Sequence, residues 1–403
     1  MPHGVKLYMN VLPARLHRFL IASAIGLVVA IIGALSTEQP PSAAIVRGDF
    51  PAFYTMATLA HQGEGAKLYD LETQREVQNA IWPSLQGSVL PIAYPAFLAR
   101  WVEPLALLSA TNARIVWTVV MFLCVVGACA LVTRVSSGLR GLTWETIVIA
   151  LLFAPLFLGV LGGQIVGLSV LLYSALLYLD RKRDRWSEVA LGIVAGLWMY
   201  KPHFSCAVGA VLLLQRRWCA IGTWVGASSS LWALGASVAG TQWLSPWYSF
   251  VRTFAQIDLV TNAPQMTGVV PFLYVVWGWI THGGGAQTGV WEVAALLSLL
   301  MVPCILGILS RKGLSRSDAA LVPCVGPLLV LFAPAVNFYD LALGALPLLL
   351  SVHPNRRVDL ILVGGVLVVS QIVIFLKDIG IAAVCFAFAV SLTYLFMRAR
   401  ARE

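Results

Sequence analysis

Long apolar runs separated by short clusters of Lys and Arg dominate this sequence. Hydrophobic residues make up 59% of the 403-residue chain and charged residues only 11%, whereas an ordinary soluble domain is about 25% charged. A run of about 20 apolar residues can cross a bilayer as a helix. The pattern predicts an all-α, polytopic integral membrane protein.

The distribution of the basic residues explains the net charge of +9. A nucleic-acid-binding protein gathers its bases on one face or tail, but here clusters such as 181–185 and 216–217 separate apolar runs. Basic residues concentrate in the cytoplasmic loops of membrane proteins. We therefore expect no nucleic-acid partner, and we place these turns and both termini on the cytoplasmic side of the plasma (inner) membrane.

Twelve apolar runs are predicted as transmembrane helices in one integral domain, residues 1–403. The first, Phe19–Leu35, exceeds the roughly 7–15 residues of a signal-peptide core, so we expect it to be retained. The other predicted spans are Ile115–Val132, Trp144–Val160, Ile165–Leu179, Val189–Tyr200, Phe204–Leu214, Cys219–Val238, Val290–Leu309, Ala319–Ala333, Leu341–Ser351, Leu360–Leu376 and Ile379–Met397. The apolar segment Gly268–Ile280 would invert every later turn as a span, so it is predicted to be interfacial or re-entrant.

Only about 30 residues separate the basic turns at Arg185 and Arg216, too few for two full spans of about 20 residues each. Val189–Leu214 is therefore expected to be two short helices broken at Lys201-Pro202, because proline ends the helix before it. Such breaks are tolerated where they line a cavity inside the protein. Gly192/Gly196 and Gly222/Gly226 have the spacing of close helix contacts, a spacing that also arises by chance.

The first loop, about residues 37–112, has no clear span and carries more acidic than basic residues. That balance is typical of an extracytoplasmic loop. Within it, Tyr54–Ala60 and Phe97–Val102 are predicted to be short amphipathic helices that lie along the membrane interface.

Polar residues at the predicted outer face are the candidates for a functional site, because polar groups at membrane depth are costly and mark sites or pathways. They are Arg47, Asp49, Gln164, Lys201, His203, Arg252, Asn337, Tyr339 and Asp340.

Several of these residues have a simpler structural alternative. Asp49 precedes Phe50-Pro51 and has the position of a helix N-cap, which spacing alone favours. Lys201 lies at a helix break and needs a counter-charge, such as a phosphate, or else it extends to the interface. His203 is either a hydrogen-bond partner of substrate or a satisfied core residue.

The remaining candidates also have a structural alternative to a functional role. Arg47 and Arg252 either contact phosphate or are solvated charges. Asn337 or Asp340 could cap the helix that follows.

The seven cysteines, which lack a CxxC pair or a neighbouring His, are predicted to be buried structural thiols, with a metal or disulfide role as the alternative. Hydrolase triads, a P-loop, a Rossmann fingerprint and zinc motifs are absent.

The sequence contains an ordered set of short motifs: GDF (48–50), KLYD (67–70), YPAFLARWVEPLALLS (94–109), GQ (163–164), YKPHF (200–204), RRW (216–218) and APAVNFYDLAL (333–343). This set resembles the GT-C superfamily of membrane glycosyltransferases. The similarity is greatest to glycosyltransferase family 87, which includes polyprenyl-phosphate-mannose-dependent mannosyltransferases.

The resemblance implies transfer of a sugar, such as mannose, from a polyprenyl-phosphate donor to a lipid or glycan acceptor on the extracytoplasmic side. It favours Asp49 as the general base of an inverting single displacement over Asp49 as a cap. The implied donor-phosphate ligands are Arg47, Lys201, His203 and Arg252. The implied substrate pocket comprises Tyr54, Gln164, Asn337, Tyr339 and Asp340.

No obligatory metal or other cofactor is expected, because one acid beside an arginine is a poor divalent-cation site. The alternative function is a transporter or a lipid-linked sugar flippase, and a third is a structural membrane subunit. Transporters often contain matched halves with corresponding broken helices. One break and one long loop in a single half favour the enzyme.

Overall fold

A computed structural model describes most of the chain between Gly48 and Ser351. The described residues are 48–85, 87–136, 139, 141–281, 288–311, 321–333, 336–351, 365–367 and 370. The predicted first span, Arg47, the span Ile379–Met397 and most of Leu360–Leu376 lie outside these residues.

The described residues form α-helices joined by short 3₁₀ turns, with one isolated bridge of extended backbone between Met266 and Asn337. We number the helices in chain order: α1 Phe50–His61, α2 Leu71–Ile81, α3 Phe97–Val102, α4 Ala110–Val135, α5 Thr143–Leu152, α6 Ala154–Leu161, α7 Val166–Asp180, α8 Arg185–Leu197, α9 Pro202–Leu214, α10 Trp218–Ala239, α11 Leu244–Asn262, α12 Val269–Ile280, α13 Thr288–Arg311, α14 Val322–Phe332 and α15 Leu341–Ser351.

Two of the described helices are long and apolar enough to cross a membrane. They are α4 and the Val290–Ser310 part of α13, and the bent pair α5–α6 is a third if it forms one span. Shorter apolar helices include α7, α9, α12 and α14. The all-α membrane class is thus confirmed, whereas the count of twelve spans stays a prediction.

The segment predicted as one span at Trp144–Val160 is instead broken. α5 and α6 meet at an angle of 77°, and Phe153 between them has extended backbone. Pro155 near the start of α6 explains the break, since its ring lacks the N–H that would continue α5. The chain therefore has a second broken helix besides the predicted one.

The break predicted at Lys201-Pro202 is confirmed. A 3₁₀ turn at Trp198–Tyr200 follows α8, and α9 begins at Pro202. Lys201 lies between them with φ −119° and ψ 86°, outside helical geometry. The break turns this lysine into the interior, where only 8% of it is exposed.

The first loop contributes to the core rather than to the surface alone. α1 contains the helix predicted at Tyr54–Ala60, but its residues are mostly buried inside the protein, so the prediction of an amphipathic surface helix is wrong, whereas its position at the membrane interface stays a prediction. α1 packs against α3, which has the predicted bounds Phe97–Val102, and against the 3₁₀ turn Glu103–Leu107. The amphipathic prediction failed because α1 is apolar on nearly every face.

Helix α11 was not predicted from the sequence, which gave no helix or span between Val238 and Gly268. Its Trp247 donates from Nε1 to the carbonyl of Ala93, at 3.2 Å, so the helix lies against the first loop. The segment that follows α11 is held by Thr267, whose N–H donates to the carbonyl of Val336 at 2.8 Å. This contact brings the end of α11 beside the segment that leads into α15.

One of the two glycine pairs forms a helix contact. A Cβ built at Gly192 would overlap Ala220 and Thr223 of α10, and one at Gly196 would lie 2.6 Å from the Cβ of Ala227. Gly222 and Gly226 have open space around them. The α8–α10 contact thus uses only Gly192 and Gly196. The spacing of Gly222 and Gly226 forms no close helix contact.

Candidate functional site

Asp49 immediately precedes α1, but its side chain does not cap the helix. The structure gives the carboxylate no hydrogen bond to a helical N–H. Instead, its Oδ2 accepts a hydrogen bond of 3.1 Å from the hydroxyl of Tyr94. The capping alternative for Asp49 is therefore wrong, and the carboxylate is available for another role.

Close contact between two glycine segments brings Gln164 to Asp49. A Cβ at Gly48 would overlap the carbonyl of Gly162, and Gly163 has φ +74°, a left-handed conformation that favours glycine. Gly48 and Gly162 thus let the two backbones meet. The side chain of Gln164 follows at once and hydrogen-bonds to the Asp49 carboxylate.

An aromatic brace holds this contact from the side of α4. The indole N–H of Trp117 donates to the carbonyl of Gly163 at 2.8 Å. Its ring lies 4.7 Å, between centroids, from that of Phe53 in α1, which in turn is 4.9 Å from the ring of Tyr94. The brace therefore fixes Tyr94 and Gln164, the two hydrogen-bond partners of Asp49, relative to its carboxylate.

The environment raises the pKa of the Asp49 carboxyl above its usual value of 3.8. Burial among protein groups is the largest cause. Hydrogen bonds from Gln164 and Tyr94 and the positive charge of Lys201 oppose the rise, while the negative charge of Asp340 adds to it. A carboxylate with a raised pKa is a stronger base than an ordinary aspartate.

A buried ion pair lies beside this carboxylate. The ammonium of Lys201 is 2.7 Å and 2.8 Å from the two carboxylate oxygens of Asp340. The two residues are 139 positions apart in sequence and both are buried. Asp340 thus supplies the counter-charge for Lys201, a role for which the sequence suggested a donor phosphate. Both of its carboxylate oxygens are bonded to Lys201, so the structure does not use Asp340 as the cap of α15.

Asn337 and Tyr339 complete the wall next to the ion pair. Asn337 donates from its amide to the hydroxyl of Tyr339 at 3.1 Å, and its side chain does not cap the following turn. The ammonium of Lys201 is 5.6 Å from the centre of the Tyr339 ring. These residues were predicted as pocket residues, and the structure brings them to the Lys201–Asp340 pair.

The remaining predicted residues have other surroundings. Tyr54 donates its hydroxyl to the carbonyl of Leu108 at 2.7 Å. Arg252 forms an exposed ion pair of 3.1 Å with Glu292. The ring of His203 packs edge-on against Phe204, and its buried Nε2 has no hydrogen-bond partner among the described residues. Phosphate binding by Arg252 and His203 stays a prediction, as does the place of Tyr54 in a substrate pocket.

Two residues that act on Asp49 or respond to its charge, Tyr94 and Asp258, were not among the candidates predicted from the sequence. Tyr94 was not chosen as a site candidate. The signal for it was its place at the start of the motif at 94–109, before Pro95 in the first loop. Asp258 was overlooked because its segment was taken as a loop. It is 6% exposed, and the charge of Asp49 acts on it.

Two further expectations concern metals and cysteines. Within the described parts of the chain, no group of three or more His, Cys, Asp or Glu could hold a metal ion. The described cysteines are free thiols, but Cys206, Cys219 and Cys304 are exposed. Burial of every cysteine is therefore wrong, because these three lie on outward faces of helices.

Fold and site together define a helical membrane protein with an internal cluster of ionisable side chains. The family model described as Glycosyltransferase family 87 matches residues 92–334, more than half of the chain. The chain therefore belongs to glycosyltransferase family 87, and this membership indicates glycosyltransferase activity. The match includes Tyr94, Gln164 and Lys201, begins after Asp49 and ends before Asn337. No curated protein and no solved structure matches the chain.

Proposed function

We propose that the protein transfers a sugar, a hexose such as mannose, from a polyprenyl-phosphate donor to a hydroxyl of a lipid or glycan acceptor. The observation that carries this proposal is the Asp49 carboxylate, which does not cap its helix and is held by Tyr94 and Gln164 beside a buried cation. Such a group is suited to accept a proton from a substrate hydroxyl.

The proposed reaction is an inverting single displacement. As the acceptor oxygen forms its bond to the anomeric carbon, its proton passes to the Asp49 carboxylate. The bond between that carbon and the phosphate oxygen breaks, and its electron pair leaves with the polyprenyl phosphate. General-base catalysis contributes roughly 10²–10⁴-fold to such rates. Phosphate is a good leaving group, so the second carboxyl of a glycosidase is not required.

Lys201 is proposed to act on the donor phosphate while it remains paired with Asp340. An ammonium has three N–H donors, and Asp340 needs two of them for its two oxygens. The third donor could bind a phosphate oxygen. His203, whose Nε2 has no partner in the part of the chain that the structure describes, and the exposed Arg252 are further proposed phosphate contacts, as is Arg47.

An apolar cavity has the chemical character that a lipid-linked donor needs. Side chains of α4, α5, α6, α7 and α15, together with Phe153 and residues 366–367, line it almost entirely with apolar groups, and no candidate site residue is among them. The cavity adjoins the α5–α6 break, in keeping with broken helices that line internal spaces. A polyprenyl chain has the matching chemistry.

The membrane arrangement belongs to the same proposal. We infer a single domain of about twelve spans in the plasma (inner) membrane, with cytoplasmic termini and an extracytoplasmic site that uses no obligatory metal. The excess of basic residues in the predicted inner turns supports this orientation. Labelling of cysteines introduced at Lys67 and Arg183 tests it, because the two must react from opposite sides.

Reconstituted protein provides the test of the function. Purified wild type and Asp49→Asn would be placed in liposomes with polyprenyl-phosphate mannose and an alkyl mannoside acceptor, and product would be measured by mass spectrometry. We expect transfer by wild type and a loss of about 10²-fold or more in Asp49→Asn.

The exposed acid Glu76 of the same loop provides the matched control, because Glu76→Gln should keep full activity. Undiminished transfer by Asp49→Asn would overturn the role of Asp49. Movement of intact lipid-linked sugar between leaflets without a new glycosidic bond would instead identify a flippase.

A further inference from the structure

In the last turns of α11, apolar side chains are exposed and an acidic side chain is buried. This is the reverse of a helix that packs its apolar face on a core. Ile257 is 52% exposed and Val260 is 59% exposed, whereas the charged Asp258 between them is 6% exposed. Burying a carboxylate is costly unless it has partners or a function. The helix therefore turns its apolar side outwards and an acid inwards.

One hydrogen-bond partner of Asp258 is Asn262, one helical turn further on. Its amide donates to Oδ1 at 2.6 Å. Among the described side chains and backbone groups, the structure gives Oδ2 no donor. The carboxylate thus keeps hydrogen-bonding capacity on its second oxygen, which a ligand can use.

Asp258 belongs to the same polar interior as Asp49. The bridge between Met266 and Asn337 joins the end of α11 to the segment that carries Tyr339. Burial raises the pKa of Asp258 to about 6, the Asn262 hydrogen bond opposes the rise, and the negative charge of Asp49 adds to it. The charge of Asp258 acts in turn on Tyr339.

We propose that Asp258 and Asn262 bind hydroxyl groups of a sugar next to Asp49, so that α11 contributes a recognition arm to the active site. The inference rests on the proposed function, and the sugar belongs to the donor or to the acceptor. A carboxylate repels phosphate but accepts hydrogen bonds from hydroxyls. Few, well-placed polar groups of this kind set ligand orientation in pockets.

Kinetics with deoxy sugars tests the recognition arm. Wild type, Asp258→Asn and the exposed control Thr261→Ala would be assayed with polyprenyl-phosphate mannose, an alkyl mannoside and alkyl mannosides lacking one hydroxyl each. We expect Asp258→Asn to raise the KM of one substrate by about 10–100-fold, the range for hydrogen bonds to charged groups. Thr261→Ala should behave as wild type.

The pattern of the effect identifies the source of the sugar. An increased KM for the alkyl mannoside, with lost discrimination against one deoxy analogue, assigns the arm to the acceptor. An increased KM for the donor alone assigns it to the donor sugar. A structural role would lower thermal stability and leave the discrimination unchanged. Unchanged KM values for both substrates would overturn the proposal.

Two further measurements keep the inference separate from the proposed function. Binding of donor and alkyl mannoside would be compared in Asp49→Asn and in Asp49→Asn/Asp258→Asn, where transfer is not needed. Equal binding by the two proteins overturns the recognition arm whatever Asp49 does, and weaker binding by the double variant supports it. Should Asp258→Asn fail to fold, Asn262→Ala tests the same arm at a half-buried position.

Discussion

The Cα of Gly48 lies so close to Gly162 that a Cβ at Gly48 would overlap the Gly162 carbonyl. This contact between two backbones joins the start of α1 to the end of α6 and positions Gln164 on Asp49. Two short glycine motifs, distant in sequence, thereby become one structural unit that holds the proposed base.

Gly48→Ala should disrupt this unit while leaving every candidate catalytic side chain in place. The added methyl must displace the Gly162 backbone, and overpacking of this kind costs about 1–3 kcal/mol. Because small displacements of reacting groups cost up to about 10²-fold in rate, we expect a large loss of kcat. Sugar transfer and thermal unfolding in detergent are the measurements.

Gly222→Ala is the control for that substitution, since its site in α10 is open and alanine favours helix. It should be neutral or slightly stabilising. Wild-type activity in Gly48→Ala would show that the glycine contact does not control the position of Asp49.

The acid limb of the pH–rate profile should report the environment of Asp49. A general base acts only when deprotonated, so kcat/KM falls as the pH drops through its pKa. Because that pKa lies above 3.8, the fall should begin at a higher pH than for a solvated aspartate. Tyr94→Phe removes a hydrogen bond to the charged form and should move the limb to still higher pH.

The exposed Tyr248 offers a control, because Tyr248→Phe should leave the profile where it is. A limb that stays in place or moves to lower pH in Tyr94→Phe would contradict the assignment of Tyr94 as a hydrogen-bond donor to the ionised base.

The Lys201–Asp340 pair should be sensitive to removal of either partner. Lys201→Met leaves Asp340 as an unpaired buried charge, and breaking a buried pair costs about 3–5 kcal/mol. The double variant Lys201→Met/Asp340→Asn should recover much of that stability. It should not recover activity, because the cation next to Asp49 is still absent.

Urea or thermal unfolding of the single and double variants measures the coupling between the two residues. Additive losses of stability would contradict the ion pair. Full activity in the double variant would show that the charge of Lys201 is not needed for transfer.

A second buried ion cluster should affect stability without affecting chemistry. Arg217, from the RRW motif, is ion-paired with Asp180 at the end of α7 and with Glu188 in α8. Arg217→Met leaves these acids without their cation and should lower stability by about 3–5 kcal/mol. The folded fraction should keep its kcat, because the cluster only joins helix ends.

The neighbouring Arg216 is exposed, so Arg216→Met is the matched control and should unfold close to the wild-type temperature. A kcat loss in folded Arg217→Met protein would contradict a purely structural cluster.

The features that the sequence predicted well are those that depend on residues close together in the chain. Long apolar runs, such as those of α4 and α13, predict helices because burial and backbone hydrogen bonding agree there. The break at Lys201 could be predicted because Pro202 cannot donate the hydrogen bond that a helix needs. Asp49 was chosen as a candidate base through the family resemblance, because spacing alone favoured a capping role, and its role as a base stays a prediction.

Only the tertiary structure decided which groups surround that carboxylate. Tyr94 hydrogen-bonds to it from a distant segment. Asp340 acts on it through charge alone, and the charge of Asp49 acts on Asp258, which belongs to a helix that the sequence did not predict. Their positions depend on the contact between Gly48 and Gly162, on the bend between α5 and α6, and on the bridge between Met266 and Asn337. Contacts of this range arise from packing between elements, which the periodicity of a single element does not encode.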